Sequence, residues 1–79
     1  MGSLKAKKLG LTIRQARKNA ELTQEGIAAK IKISSRTYQA YELGAVLPRY
    51  ETLFKIAKVT GTTAPQLLKP MWDDWKGKG

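Results

Sequence analysis

The strongest constraint on the fold is the stretch of residues 22–44, LTQEGIAAKIKISSRTYQAYELG, which contains two helix-forming segments separated by about four residues. Thr23 and Ser34 carry the hydroxyl side chains that favour the N-cap position, and each stands directly before one segment. Apolar residues then recur at spacings of three and four residues, and Gly44 closes the second segment. The sequence therefore predicts two short helices, over 24–31 and 35–43, joined by a tight turn.

A stripe of mostly apolar residues from Leu9 to Ala20 follows the same helical spacing. The stripe places its members at intervals of one, three and four residues, namely Leu9, Ile13, Ala16, Arg17 and Ala20. Thr12 is a candidate N-cap for this helix, although an earlier start fits as well. Because Arg17 lies on the apolar stripe, its charge needs a partner if that face is buried.

Two further helices are predicted in the second half of the chain. The segment 51–58 carries a broad apolar face and ends at Gly61; the members of this face are Leu53, Phe54, Ile56 and Ala57. Thr62 or Thr63 caps the last short helix, Gln66 completes a capping-box pattern with Thr63, and Pro70 is expected to end the helix. No segment alternates with period two, so the predicted fold class is all-α with about five short helices.

Composition limits the function. Fifteen Lys and Arg residues face six acidic residues, which gives a formal net charge of +9. A domain this basic is typical of proteins that bind nucleic acid, although the same charge is also found on surfaces that are merely solvated. The chain has no Cys and no His, which removes thiolate metal sites and the commonest general base. The acidic residues form no evident acid–base pair, so we expect no enzyme, no catalytic residue, no metal and no cofactor.

Hydropathy indicates the compartment. No apolar run approaches the roughly 20 residues that a membrane span needs. The basic start of the chain lacks the apolar block of a secretory signal. We therefore expect a soluble, cytoplasmic protein with no membrane partner.

The second helix of the opening pair has an unusual outer face. If Tyr38 and Tyr41 turn inward, the positions left outside are mostly small or polar: Ser35, Arg36, Thr37, Gln39, Ala40 and Leu43. A helix face that is merely solvated would carry Glu and Lys pairs instead. Arg binds guanine O6 and N7, Gln binds adenine, and Ala meets a thymine methyl, so these residue types suit the major groove of DNA. The alternative is a helix that packs on another surface.

Several motifs, in this order and spacing, resemble the helix-turn-helix domain of the lambda-repressor/Cro-type regulators. They are Leu22-Thr23-Gln24-Glu25, Ala28, Ile33-Ser34, Tyr41-Glu42, Gly44, Pro48, Glu51-Thr52-Leu53 and Lys55-Ile56-Ala57. The match needs no gaps from about Ile13 to Leu68. The resemblance implies a compact five-helix lambda-repressor-like domain, in which 24–31 is the positioning helix and 35–43 the recognition helix.

The resemblance also implies roles for individual residues. Base contacts are expected from Ser35, Arg36 and Ala40, with Thr37 and Gln39 at the edge of the set. Gln24 is expected to hold a phosphate from the start of the positioning helix. Lys32 can reach a phosphate from the turn, and Arg49 falls where relatives place a basic residue on the DNA backbone or in the minor groove.

The same comparison implies that Arg17 pairs with Glu42 inside the domain, which supplies the partner that the apolar stripe requires. Three positions depart from the family pattern. Lys32 stands where glycine is usual, and a left-handed conformation there would carry strain of about 1–2 kcal/mol. Tyr38 replaces a β-branched aliphatic residue, so it either joins the core or leaves its hydroxyl at the groove edge. Leu43 replaces a polar residue that touches the DNA backbone.

The chain is then expected to divide into a basic N-terminal arm at 1–9, the helix-turn-helix domain at 10–69 and a Trp-containing tail at 70–79. The arm carries three lysines that either wrap the duplex or form a solvated end: Lys5, Lys7 and Lys8. The tail carries two tryptophans that either pack on the core or contact a second copy: Trp72 and Trp75.

Together these features predict a sequence-specific regulator of transcription that binds double-stranded DNA. The expected form is a small homodimeric repressor on a palindromic operator. The alternative is an antitoxin or another protein-interaction module that holds a toxin and binds DNA only secondarily. An RNA-binding module is not supported, because the sequence shows no aromatic stacking platform.

Overall fold

The computed structural model describes the backbone of residues 4–76 and the side chains of residues 5–70. Five helices follow one another in that range: α1 Leu4–Asn19, α2 Gln24–Lys30, α3 Ser35–Leu43, α4 Tyr50–Thr60 and α5 Ala64–Lys76. The described backbone contains no strand, so the predicted all-α class with five helices is confirmed. Within the same range, no helix combines the length and the apolar character that a membrane-spanning segment requires.

Local hydrogen bonds fix the helix ends where the sequence predicts them. The backbone N–H of Gly26 donates to Thr23 Oγ1 at 2.9 Å at the start of α2. At the start of α5, the Gln66 N–H donates to Thr63 Oγ1 at 3.2 Å, and the Thr63 N–H donates to Gln66 Oε1 at 3.0 Å. Gly61 ends α4 in the left-handed conformation, with φ of 75°. Caps of this kind satisfy backbone groups that a helix end leaves unpaired, and each contributes about 1 kcal/mol.

The apolar faces of the helices meet in one core. Its buried members are Leu9, Ile13, Ala16, Ile27, Ala28, Ile31, Tyr38, Leu53, Ile56, Ala57, Ala64 and Leu67. The prediction that Phe54 shares this inward face is wrong, because its side chain is 56% exposed. Phe54 follows Leu53 by one residue and therefore lies about 100° around α4 from it.

α1 crosses α3 at Gly10, where the two backbones approach closely. A Cβ atom at this position would lie 2.5 Å from the Glu42 carbonyl oxygen and 2.6 Å from that of Tyr41. Gly44, at the end of α3, approaches α1 in the same way, since a Cβ atom there would lie 2.6 Å from Lys7 Cα. These two contacts fix the position of α3 on the rest of the domain.

α1 begins earlier than the boundary predicted at residue 10. Residues 4–9, expected to be an arm, form the first turns of α1, and Ala6 and Leu9 are buried. Thr12 lies inside this helix and is not its N-cap. Its hydroxyl donates instead to the backbone carbonyl four residues before it, at 3.0 Å.

α5 continues beyond the predicted end of the domain. It passes through Pro70 and ends at Lys76, so the prediction that Pro70 ends this helix is wrong. The proline ring removes one backbone hydrogen bond from the helix interior without stopping the helix. The side chains of Trp72 and Trp75 lie outside the described residues, so their two expected placements stay predictions.

Candidate nucleic-acid interface

Hydrogen bonds at both ends define α3. At its start, Ser34 Oγ accepts a hydrogen bond from the Thr37 N–H at 3.1 Å and donates to Thr37 Oγ1 at 2.8 Å. At its end, Gly44 adopts a left-handed conformation with φ of 76°, and its N–H donates to the Tyr41 carbonyl at 3.1 Å. The first turn contains no acidic residue, so the positive end of the helix dipole keeps its preference for an anion.

The inner face of α3 is anchored by Tyr38 and Glu42. Tyr38 is fully buried and Glu42 is 8% exposed, which confirms the predicted inward orientation of Tyr38. An α-helix turns about 100° per residue. The face opposite these two residues therefore carries Arg36, Ala40 and Leu43, at intervals of four and three.

Of the residues predicted to read bases, Arg36 and Ala40 lie on this outward face and Thr37 and Gln39 flank it, whereas Ser35 is the first residue of the helix and lies nearer the direction of Glu42. Arg36, Thr37 and Gln39 are exposed, and Ser35 and Ala40 are half-buried. The fold thus brings all five together on one short helix and leaves the longer polar side chains accessible. Their contact with DNA bases stays a prediction.

The ion pair between Arg17 and Glu42 ties α1 to α3, as the resemblance implies. Arg17 Nε donates to Glu42 Oε2 at 2.6 Å and Arg17 Nη2 donates to Glu42 Oε1 at 3.3 Å. A third bond runs from Arg17 Nη1 to the Leu22 carbonyl at 2.8 Å. The two charged side chains are only 11% and 4% exposed, so each depends on the other for compensation of its charge.

The protonation of the pair follows from these contacts. Burial acts to raise the pKa of Glu42, but hydrogen bonds from Arg17 and Gln24 outweigh it, so the pKa lies below its ordinary value. The hydrogen bond to Glu42 raises the pKa of Arg17. Both groups are therefore charged at neutral pH.

The Tyr38 hydroxyl lies buried in the same region and makes no hydrogen bond of ordinary geometry. Burial, and then the nearby Glu42 carboxylate, raise the pKa of this phenol, so it is neutral at any physiological pH. The sequence allowed Tyr38 either to join the core or to leave its hydroxyl at the edge of the DNA groove. The structure places it in the core. An unpaired buried hydroxyl costs stability, and the nearby Glu42 carboxylate is the acceptor that would offset this cost.

Gln24, the first residue of α2, also contacts Glu42. Its Nε2 donates to Glu42 Oε1 at 3.0 Å, and the residue is half-buried. This bond joins α2 to α3 and was not predicted from the sequence. A carboxamide nitrogen has two hydrogens, so one donor of Gln24 is left for another acceptor.

Lys32 and Arg49 precede and follow α3 in the chain, and both are exposed. Lys32 has φ of 61°, the left-handed conformation that carries strain for a residue other than glycine. Arg49 is the N-cap residue of α4, but its side chain makes no capping hydrogen bond. Both cations thus stand beside the helix that carries the predicted base contacts.

The helices described above match a known family of proteins. The sequence model of the family described as "Helix-turn-helix", of the Cro/C1 type, matches residues 13–67, which contain α2, α3 and α4 in full. The chain belongs to this helix-turn-helix family. Its members are DNA-binding regulators of transcription, a class of proteins that is not a class of enzymes.

Two curated relatives of this helix-turn-helix domain are similar in sequence. The HTH-type transcriptional regulator YqaE of Bacillus subtilis is 39% identical over 57 residues, which cover 72% of this chain and 49% of YqaE. The transcriptional repressor RstR of the cryptic phage CTXphi, from Vibrio cholerae, is 39% identical over 56 residues, covering 71% of this chain and 50% of RstR. The chain therefore spans about half the length of the curated relatives it matches.

Solved structures show the same fold. The clp gene regulator ClgR of Corynebacterium glutamicum superposes with a TM-score of 0.80 over 91% of this chain and 94% of ClgR, at 19% identity. A second ClgR structure gives a TM-score of 0.83 over 99% of this chain and 83% of ClgR, at 18% identity. At these identities the likeness concerns the fold alone, and it confirms the expected helix-turn-helix architecture.

The helix-turn-helix structure adds Arg14 to the residues predicted from the sequence and confirms that Leu43 lies outside. Arg14 is exposed and lines a surface pocket of about 370 Å³ together with Arg17, Gln24, Glu42 and Leu43. Leu43 is 74% exposed and lies on the outward face of α3 together with Arg36. In the sequence Arg14 is one cation among many, and only its distance of three residues from Arg17 indicates that it can lie beside this pocket.

Proposed function

We propose that this chain represses transcription by binding a palindromic DNA operator as a homodimer, with α3 of each copy in the major groove. A helix of this diameter fits the groove, where each base pair presents a distinct pattern of donors and acceptors. Repression would follow from occlusion of polymerase at the operator. The relative RstR, which is named as a repressor, supports this direction of regulation. A protein of this function is expected to act in the cytoplasm and to need no cofactor.

The observation that carries the proposal is the two-sided structure of α3. Its inner face is locked by buried Tyr38 and by Glu42 in the ion pair with Arg17. Its outer face offers an exposed guanidinium at Arg36 and a small side chain at Ala40. Arg36 can form two hydrogen bonds to guanine, Gln39 can pair with adenine, and Ala40 can meet a thymine methyl. Thr37 supplies a hydroxyl at the edge of the same face, and Ser35 supplies one at the first residue of the helix.

Three further residues are proposed to position the domain on phosphates without reading sequence. Lys32 and Arg49 are exposed cations before and after α3. Gln24 keeps one amide hydrogen after its bond to Glu42. This N–H can donate a hydrogen bond to a phosphate oxygen. Arg14 lies at the same pocket as Gln24 and adds a fourth candidate for a phosphate contact.

The homodimer follows from the small size of the reading surface. One short helix contacts too few base pairs for tight specific binding. Proteins of this architecture bind two half-sites about 34 Å apart, so that the symmetry of the operator mirrors the symmetry of the dimer. A second copy therefore supplies the second recognition helix.

Selection of bound duplexes from a random pool tests the proposal. The expected result is a palindrome with half-sites one helical turn apart. On the selected duplex, Arg36→Ala should weaken binding by about 1–3 kcal/mol and relax the preference at one base position in each half-site. A selected pool without a consensus would refute specific binding. An equal loss for Arg36→Ala on every duplex would reduce Arg36 to a phosphate contact.

The alternative function, an antitoxin or another protein-interaction module, is favoured by the exposed aromatic side chains of Tyr50 and Phe54. It predicts that a protein partner co-purifies with the chain and that Arg36→Ala leaves the affinity for this partner unchanged. A toxin that binds more tightly than any duplex would make DNA binding the secondary activity.

A further inference from the structure

Large apolar side chains are exposed in one part of the chain. Six are exposed among the described residues, and five of the six lie between residues 43 and 54. Leu43 belongs to the outward face of α3. The other four form what we call the apolar patch: Val46, Leu47, Tyr50 and Phe54, with exposures of 52%, 50%, 65% and 56%. Clustered exposure of this kind marks an interaction surface more often than scattered single residues do.

A groove lies beside the patch. Tyr50 and Phe54 line it from α4 and Pro65 lines it from α5, and it has a volume of about 370 Å³. Ala57 and Ala64, both buried, lie at its base. A side chain the size of Phe would fill part of such a groove, and the patch itself presents Phe54.

We infer that the apolar patch and this groove form the surface on which a second copy of the chain docks. The inference rests on the proposed function, which requires a homodimer but does not say which surface makes it. In a two-fold contact the same patch serves both copies, so an apolar projection beside an apolar groove is self-complementary. Phe54 of each copy can enter the groove of the other.

The charges beside the patch suit a second copy, whereas the net charge of the whole chain opposes self-association. The chain carries a net charge of +9, so two copies repel one another across most of their surface. Around Tyr50 the charges alternate, because Arg49 precedes it and Glu51 follows it, and both are exposed. Across a two-fold axis Glu51 of one copy can face Lys58, which lines the groove of the other copy, and each such pair occurs twice.

The place of the patch in the chain suits a DNA-bound dimer. The patch begins two residues after Gly44, which ends α3, and continues onto α4. A two-fold axis through the patch therefore brings together the C-terminal ends of both recognition helices. Their N-terminal turns, which carry Arg36, then face away from the axis into separate half-sites.

The area of the patch sets the strength of the contact. Large apolar side chains present roughly 150–250 Å² each when fully exposed, so exposures of 50–65% leave roughly 400–500 Å² per copy. Two copies would bury about 900 Å², less than the about 1,200 Å² at which stable complexes begin. The free chain should therefore dimerise weakly. Neighbouring half-sites raise the effective concentration and complete the dimer on DNA.

The experiment compares the full chain with Tyr50→Ala and Phe54→Ala on a duplex with both half-sites and on a duplex with one. The full operator should bind wild type cooperatively, and each variant should lose affinity for it on the order of ten-fold. Affinity for the single half-site should change by less than about two-fold. Leu11→Ala is the matched control, because Leu11 is 62% exposed on α1, and it should behave as wild type on both duplexes.

A measurement without DNA separates this inference from the proposed function. Sedimentation equilibrium of wild type should show a dimer with a dissociation constant weaker than about 10 μM, and Phe54→Ala should weaken it further. Wild type that dimerises through Phe54 but prefers no duplex sequence would refute the proposed function and leave the docking surface intact. Specific binding with cooperativity unchanged in both patch variants would overturn the docking surface alone.

Two further results would also overturn it. Loss of dimerisation in Trp72→Ala or Trp75→Ala, with the patch variants unaffected, would move the interface to the C-terminal end of the chain. A wild type that stays monomeric both free and on the operator would assign the patch to a different protein partner.

Discussion

Replacement of Glu42 by alanine should unfold the domain at a much lower temperature. The change removes the acceptor of two Arg17 bonds, at 2.6 and 3.3 Å, and of one Gln24 bond at 3.0 Å. Arg17 would be left with its bond to the Leu22 carbonyl and with a side chain only 11% exposed. Breaking one half of a buried pair costs about 3–5 kcal/mol. For a domain of this size each kcal/mol lowers Tm by about 4–8 °C, so Tm should fall by at least about 12 °C.

Thermal unfolding followed by far-UV circular dichroism measures this loss. Glu51→Ala is the matched control, because Glu51 is exposed in the first turn of α4, and its replacement should cost less than about 1 kcal/mol. The double variant Arg17→Met/Glu42→Leu should recover much of the stability, since it leaves no buried charge unpaired. A Tm within a few degrees of wild type for Glu42→Ala, or additive losses in the double variant, would refute the reasoning.

Three other predictions follow from single positions. Lys32→Gly should raise the free energy of unfolding by about 1 kcal/mol, because Lys32 has φ of 61° and left-handed residues with a Cβ are strained; a loss of stability in urea titration would contradict this. Gly10→Ala should lower the unfolding free energy by about 1–3 kcal/mol or more, because the new Cβ would lie 2.5 Å from the Glu42 carbonyl oxygen; an unchanged urea midpoint would contradict the close crossing of α1 and α3. Because the pKa of Glu42 is lowered in the folded state, its contribution to stability is present above the pKa of the unfolded chain and is lost as pH falls through the folded pKa. Wild type should therefore lose more stability on acidification than Glu42→Gln does, and equal acid profiles would show that Glu42 does not carry this dependence.

Features that depend on neighbours in sequence could be predicted. The caps at Thr23 and Ser34 and the reciprocal pair of Thr63 and Gln66 are hydrogen bonds across three residues, so residue type and spacing suffice to place them. The inward orientation of Tyr38 follows from helical periodicity combined with the apolar residues around it. Arg17 was recognisable as a buried cation from its place on an apolar stripe, and the family pattern supplied Glu42 as its partner.

Features that depend on how the helices pack could not be predicted in this way. The bond from Gln24 to Glu42 joins two helices, and no local pattern indicates it. Periodicity placed Phe54 on an apolar face, but the width of the covered face depends on the position of α5, which leaves this ring exposed. The early start of α1 was hidden because Ala6 and Leu9 stand among lysines, although their spacing continues the buried stripe.

The reading of bases by the Arg36 edge of α3 is tested most directly by changing one atom of the DNA. Replacement of guanine by 7-deazaguanine removes the N7 acceptor in the major groove. At one position in each half-site of the selected operator, this change should weaken wild-type binding by about 0.5–1.5 kcal/mol, because one of the two hydrogen bonds of the Arg–guanine pair is lost. The same change should leave the affinity of Arg36→Ala unaltered, because the partner of N7 is already gone. Equal losses for wild type and for Arg36→Ala at every guanine would contradict the claim that this edge of α3 reads the operator.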